Sequence, residues 1–284
     1  MEFLLNDKSL HGQFNNVEQF LESLPPVLKT IELIKQYTDY PVSRCEDFYK
    51  RFITPQNQIV DLKQQSWSDQ LAKLLDDFDK IVYCKPYWDE QPEHDLYEKY
   101  YWDGDDVSVT CLAEAAVTGN PLISFQSEKF IDCKIKIEHK NNSIFVDSIH
   151  TPRYLVSRYN DYMNIRGDEL LRIRYNGTRL DCRSIELKYG TANLEKDEID
   201  QIISSFDKFV RHESWETIAL DDGLKYKKYS PSSITDDWFN NARYRGKVIM
   251  KFRCSSVLRC YGYRKAEKFI VLRLERDHKI SNNG

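Results

Sequence analysis

The sequence predicts an α+β protein with a helical N-terminal part, a mixed middle region and a C-terminal antiparallel sheet packed on a helix. Apolar residues recur at helical spacing through the first 80 residues and again at 197–212. Alternating apolar and polar residues begin near residue 248 and predict strands. A domain boundary is expected within 150–168, giving domains 1–160 and 161–284, and two sub-domains that share one interface are the alternative.

Three helices are expected in the N-terminal part. The first covers about 14–24, and the second follows Pro25-Pro26, since proline is favoured in the first turn of a helix. The third runs from about 68 to 78, where Ser68 is a favourable N-terminal cap. Each has an apolar stripe that could pack against a common core.

The middle region begins with an unusual segment. KPYWDEQPEHDLYEKYYWDGDD at 85–106 is both aromatic and acidic, which is typical of an exposed or functional loop. CLAEAA predicts a short helix, and PLISF at 121–125 predicts a strand. CKIKIEH at 133–139 and SIFVDSI at 143–149 predict a hairpin with KNN as its turn.

A second hairpin and a helix are expected after residue 168. LLRIRY at 170–175 and RLDCRSIELKY at 179–189 predict two strands joined at Asn176-Gly177. DEIDQIISSFDKFVRH at 197–212 is the clearest amphipathic helix of the chain.

Three strands are expected at the C-terminal end. They are VIMKFRC at 248–254, VLRCYGY at 257–263 and the mostly apolar FIVLRLERDHK at 269–279, which is predicted to be a central strand. An antiparallel meander of these strands would have one packed face. The outward face would carry Lys251, Arg253, Arg259, Tyr261 and Tyr263.

The basic residues are concentrated in this region. The net charge of the chain is −4, yet residues 211–284 hold 16 Lys and Arg against 9 Asp and Glu. Such asymmetry indicates an anionic partner, and interleaved basic and aromatic residues favour RNA. A solvated outer face, or docking of the basic end on the acidic remainder, is the alternative.

Other features narrow the class of protein. The start MEFLLNDKSLHG lacks the pattern of a signal peptide, and no apolar run reaches the length of a membrane span, so we expect a cytoplasmic protein without a membrane partner. The seven Cys form no CxxC pair and predict reduced thiols. No phosphate loop, dinucleotide fingerprint, nucleophile elbow or HExxH motif is present.

The order of elements over 197–284 resembles the RelE/HigB superfamily of bacterial ribonuclease toxins. A long amphipathic helix precedes GLKYKKY, then a strand with Lys-Phe-Arg, a strand with Arg-Cys-Tyr-Gly-Tyr, and an apolar strand ending in Asp-His-Lys. The resemblance implies helices against a small antiparallel sheet and a metal-independent endoribonuclease of toxin or phage-defence type. EFLLNDKSLHGQF, KPYWD and LAEAA are similar to uncharacterised bacterial proteins found beside phage-defence genes.

The resemblance also implies a chemistry. The 2′-hydroxyl of RNA attacks the adjacent phosphorus, helped by a base, an acid and cations, without a cofactor. His278 would be the acid or base, and Arg253 and Arg259 would hold the scissile phosphate. The expected nucleic-acid-binding residues are Lys225, Lys227, Lys251, Tyr261, Tyr263 and Arg264. A plain surface histidine is the alternative for His278.

A second nuclease class is also compatible with the sequence. Glu186-x-Lys188 on an apparent strand matches the core of Mg²⁺-dependent PD-(D/E)xK nucleases, with Asp168 or Asp181 as the second metal ligand. A surface ion pair is the alternative reading of this triplet. A third possibility is a non-enzymatic binding component of a bacterial defence complex, with a protein partner at the N-terminal region.

Overall fold

The computed structural model describes residues 1–231 and 237–276. The protein is a mixed α+β chain with two sheets. It forms two compact units, Met1–Asn164 and Ile165–Gly284, which are described separately.

The first unit contains a seven-stranded sheet. Its strands are β1 (Phe3–Leu5), β2 (Val42–Ser43), β3 (Tyr100–Trp102), β4 (Asp105–Asp106), β5 (Leu122–Ile123), β6 (Cys133–His139) and β7 (Asn142–Ile149), in the spatial order β2-β1-β5-β7-β6-β3-β4. The pairs β1/β2, β1/β5 and β5/β7 are parallel, and the others are antiparallel. The predicted β6–β7 hairpin is confirmed, and Lys140 and Asn141 form its turn with positive φ.

Five α-helices belong to this unit. They are α1 (Val17–Ser23), α2 (Pro25–Tyr37), α3 (Asp69–Val82), α4 (Cys111–Thr118) and α5 (Pro152–Tyr159). Asn16 caps α1 by accepting a hydrogen bond from the Gln19 N–H, whereas Ser68 precedes α3 without making a side-chain cap. The N-terminal part is therefore not only helical, because β1 and β2 lie within it, and α5 occupies the stretch predicted to be irregular.

Over residues 165–231 and 237–276, the second unit contains a five-stranded sheet and three α-helices. The elements are α6 (Gly167–Arg174), β8 (Leu180–Asp181), α7 (Lys196–Arg211), α8 (Trp215–Ala219), β9 (Lys227–Lys228), β10 (Ile249–Arg253), β11 (Arg259–Lys265) and β12 (Lys268–Glu275). The sheet order is β8-β12-β11-β10-β9, and only the β8/β12 pair is parallel. The predicted strands β10–β12 and the helix α7 are confirmed.

One face of this sheet packs on α7. Phe206 and Phe209 of the helix lie against Phe252 and Phe269 of the strands, with ring centroids 4.8–5.6 Å apart. Burying one such side chain contributes about 2 kcal/mol to stability. The amphipathic stripe of α7 therefore fixes which face of the sheet becomes the core.

The predicted second hairpin is wrong. Residues 167–174 form α6, and only Leu180–Asp181 of the next predicted strand is extended. Asp168 and Glu169 lie in the first turn of α6 and Arg172 and Arg174 in its last turn, which is the charge order that a helix dipole favours. Gly177, with φ +77°, follows the helix in a left-handed conformation and does not turn a hairpin.

Over 1–231 and 237–276, no helix combines the length and the apolar character needed to cross a bilayer. All seven Cys are free, and four of them are buried.

Candidate nucleic-acid interface

The face of the second sheet opposite α7 is covered in its middle. Tyr229, Phe239 and Tyr244 come from the chain between β9 and β10 and pack on the sheet residues Ile249 and Tyr261. We call these three aromatic residues the aromatic cover. Because the cover excludes water, the face predicted to be outward is a second, smaller core.

The predicted outward position of the basic residues is therefore wrong for several of them. Lys251, Arg259 and Tyr261 have exposures of 3%, 8% and 0%. Arg253 and Tyr263 are half-buried, and Lys225, Lys227, Lys228 and Arg264 are exposed. Alternation along a strand predicts which side chains share a face, but it does not reveal which chain segment packs on that face.

Strand register brings four basic residues together at one end of this face. In one row across the sheet, Lys227 pairs with Lys251, and Lys251 pairs with Tyr261. In the next row, Arg253 pairs with Arg259, and Arg259 pairs with Glu275. Directly paired residues lie on the same face about 5 Å apart. We call Lys227, Lys251, Arg253 and Arg259 the basic cluster.

The cations of the basic cluster lower one another's pKa values. Burial lowers the pKa of Lys251, and the neighbouring cations Lys227 and Arg259 lower it further, although Glu275 opposes them. Burial and Arg253 likewise lower the pKa of Arg259. Both shifts indicate cations that an added anion would stabilise.

The two arginines of the cluster have different surroundings. Arg259 donates hydrogen bonds to the backbone carbonyls of Ser255 and Leu258, at 2.8 Å each, and to that of Ser256 at 3.3 Å. Its guanidinium thus holds the β10–β11 turn. The Arg253 side chain has no hydrogen-bond or ion-pair partner within the described part of the chain, and its Nε is buried. Of the two arginines, Arg253 is therefore better placed to bind a phosphate group.

Glu275 is a site residue that the sequence reasoning missed. Its Oε2 accepts a hydrogen bond of 2.7 Å from the Tyr261 hydroxyl, and it is 4% exposed. A bulge opposite Tyr261 and Gly262 shifts the register of β12, so that Arg273 and Glu275 face the same side as Arg259. Gly262 is required there, since a Cβ would lie 2.1 Å from the Ile270 carbonyl oxygen.

Arg273 anchors the aromatic cover. Its guanidinium makes two contacts with the Glu186 carboxylate, at 3.1 and 3.0 Å, and donates to the Trp238 carbonyl. The Tyr244 hydroxyl donates to the same carboxylate. Four rings surround the guanidinium at 4.5–5.4 Å, those of Tyr189, Trp238, Phe239 and Tyr244.

The candidate ligands of the Mg²⁺-dependent alternative have separate partners. Glu186 binds Arg273, Asp181 pairs with Arg183, and Asp168 accepts hydrogen bonds from Thr191. Glu186-x-Lys188 enters a 3-10 turn and not a strand, which corrects that expectation, and the Lys188 ammonium lies over the Tyr189 ring. Among residues 1–231 and 237–276, no group of three or more His, Cys, Asp or Glu is arranged to hold a metal ion.

His278, the expected acid or base, lies outside the described residues. The last described residue, Arg276, directly follows β12, at the end of the strand that carries Glu275.

The exposed lysines beside the cluster differ from those of the first unit. Lys225, Lys227 and Lys228 have no ion-pair partner in the portions of the chain that are described. Lysines of the first unit commonly have one, as in Lys80–Asp77, Lys99–Asp106 and Lys136–Glu138. The β9 edge therefore presents lysines that make no ion pair with a carboxylate of residues 1–231 or 237–276.

Asp221 fixes the turn that leads into β9. It accepts hydrogen bonds from Lys208, His212 and the backbone N–H groups of Gly223 and Leu224, at 2.6–2.9 Å. Burial raises the pKa of Asp221, but these hydrogen bonds outweigh it and lower the pKa from 3.8 to about 2. The carboxylate is thus stabilised by folding.

This pKa predicts a pH dependence of stability. A group whose pKa falls on folding stabilises the protein above its unfolded pKa, about 3.9, and the stabilisation is lost as the pH falls toward the folded value. We expect Asp221→Asn to lower the free energy of unfolding at pH 7 by about 1–2 kcal/mol. Urea unfolding of both proteins between pH 7 and pH 2 measures the difference in their free energies of unfolding. This difference should shrink toward pH 2. A constant difference across that range would contradict the assignment.

No protein-family profile, curated protein or solved structure matches this chain.

Proposed function

We propose that this protein is a metal-independent endoribonuclease of toxin or phage-defence type that binds RNA with the basic cluster. One observation carries the proposal: strand register brings four cations together on three adjacent strands. A phosphodiester would place negative charge beside these cations.

Cleavage of RNA suits a site built from cations. The nucleophile, a 2′-hydroxyl, belongs to the substrate, so the protein has to supply proton transfer and stabilise the charge of the phosphorane. Arg253 would do the latter, and the buried Lys251 would add its positive charge from beneath the surface. Arg259 would act as a positioning residue, because its guanidinium is engaged by the turn at 255–258. His278 remains our candidate for the acid or base.

The layout of the second unit supports the likeness to the RelE/HigB superfamily. A long helix lies against one face of an antiparallel meander, and basic residues occur on adjacent strands. The roles of the tyrosines are revised within the proposal. Tyr261 is fully buried and holds Glu275, so base stacking falls to the half-buried Tyr263.

The test is incubation of the full chain with RNA, single-stranded DNA and double-stranded DNA, with and without EDTA. We expect the protein to cleave RNA and neither form of DNA. The rate of RNA cleavage should be the same with and without EDTA. His278→Ala should abolish cleavage and retain binding, and full activity of that variant would remove His278 from the mechanism. Loss of activity in EDTA would favour a metal-dependent nuclease, and salt-sensitive binding without cleavage would favour the binding-component alternative.

A further inference from the structure

The opposite end of the same sheet face carries a second group of cations. Arg243, Arg245 and Lys265 are exposed and Lys247 is half-buried. We call these four residues the distal patch. None of them has an ion-pair partner in residues 1–231 or 237–276.

Ring contacts place two residues of the distal patch, Arg243 and Lys247, beside tyrosines. The Arg243 guanidinium lies 5.6 Å and the Lys247 ammonium 5.7 Å from the centroid of the Tyr244 ring. Lys247 also lies 4.5 Å from the centroid of the Tyr263 ring. Cations held on aromatic rings remain available to an anion on their other side.

Strand register places the distal patch and the basic cluster at opposite ends of one face. Tyr263 pairs with Ile249 at the start of β10, whereas Arg259 pairs with Arg253 at its end. Ile249, Lys251 and Arg253 alternate along one side of β10, and Lys247, two residues before the strand, reaches this side at the Tyr263 ring. Lys247 and Arg253 are six positions apart in the sequence, and six steps of extended chain correspond to about 20 Å. The aromatic cover lies between the two groups of cations.

We propose that the distal patch is a second phosphate-binding subsite and that one RNA strand contacts both ends of this face, passing the aromatic cover. This inference rests on the proposed function and specifies its substrate as a single strand of a minimum length. A stacked strand advances about 3.4 Å per nucleotide, so about six nucleotides span the distance of about 20 Å. Shorter strands reach only one group of cations.

Binding of 2′-O-methyl oligonucleotides tests the proposal, because they lack the hydroxyl that attacks phosphorus and stay intact. We expect a strand of about twelve nucleotides to bind at least about tenfold more tightly than one of about four, by the effect of linked sites. In the variant R243E/R245E this advantage should disappear. The control variant K73E/K80E changes the net charge by the same amount, but on α3 of the first unit. It should keep the tighter binding of the longer strand.

The outcomes separate this inference from the proposed function. If R243E/R245E binds the longer strand with wild-type affinity, the second subsite is overturned. An equal loss of affinity in K73E/K80E would overturn it as well. Absence of binding by the wild type at every length would overturn the proposed function itself. Circular dichroism of each variant checks that the fold is retained.

Discussion

The Arg273→Met variant is expected to lose about 3–5 kcal/mol of the free energy of unfolding of the second unit. Arg273 makes two contacts with Glu186 and is enclosed by four aromatic rings. Its removal leaves the Glu186 carboxylate, whose side chain is 18% exposed, without its cation. Removing one partner of a buried pair is costly because the remaining charge stays desolvated.

Denaturant unfolding followed by tryptophan fluorescence measures this loss, and Trp238 lies beside the substituted residue. Arg183→Met is the matched control, because Arg183 pairs with Asp181 in the same unit but its side chain is 77% exposed. The control should cost less than about 1 kcal/mol. Similar losses in the two variants would show that the Arg273 pair does not anchor the aromatic cover. The double variant E186L/R273M should recover part of the loss, since neither charge then remains.

The second large effect concerns catalysis. Arg253→Gln should slow RNA cleavage by about 100-fold or more, the usual cost of losing one group that stabilises transition-state charge. Because the Arg253 side chain has no hydrogen-bond partner among the described residues, the substitution should leave stability within about 0.5 kcal/mol of the wild type.

Arg259→Gln is the informative comparison. Its guanidinium holds three backbone carbonyls, so this substitution should reduce both the rate and the stability. Single-turnover cleavage and urea unfolding of both variants make the distinction. Wild-type cleavage by Arg253→Gln would exclude a role for Arg253 in binding the scissile phosphate.

The elements that could be predicted are those with a clear local period. Helix α7 and strands β10–β12 follow from the spacing of their apolar residues, and the turn of the β6–β7 hairpin follows from KNN. The strand predicted at 170–175 is wrong because Leu170, Leu171 and Tyr175 fit a short strand as well as one side of a helix. The charges indicate a helix: Asp168 and Glu169 lie in the first turn of α6, and Arg172 and Arg174 lie in its last turn.

The burial of the basic residues could not be predicted locally. It depends on the packing of Tyr229, Phe239 and Tyr244 on Tyr261, and on a bulge that reverses the alternation of β12 after Leu272. The contact between Glu186 and Arg273 joins positions 87 residues apart. Such long-range contacts are set by the fold as a whole, so the sequence reasoning identified the cations of the site but not which of them are accessible.

The most direct test of the central claim is the chemistry of the RNA product. Attack by the 2′-hydroxyl leaves a 2′,3′-cyclic phosphate on one fragment and a 5′-hydroxyl on the other. We expect mass spectrometry of a single-stranded RNA treated in EDTA to find these ends, and a single 2′-deoxy substitution at the cleaved nucleotide to block the reaction. Intact RNA would contradict a metal-independent ribonuclease. Fragments that carry a 5′-phosphate and form only when a metal ion is present would contradict it as well.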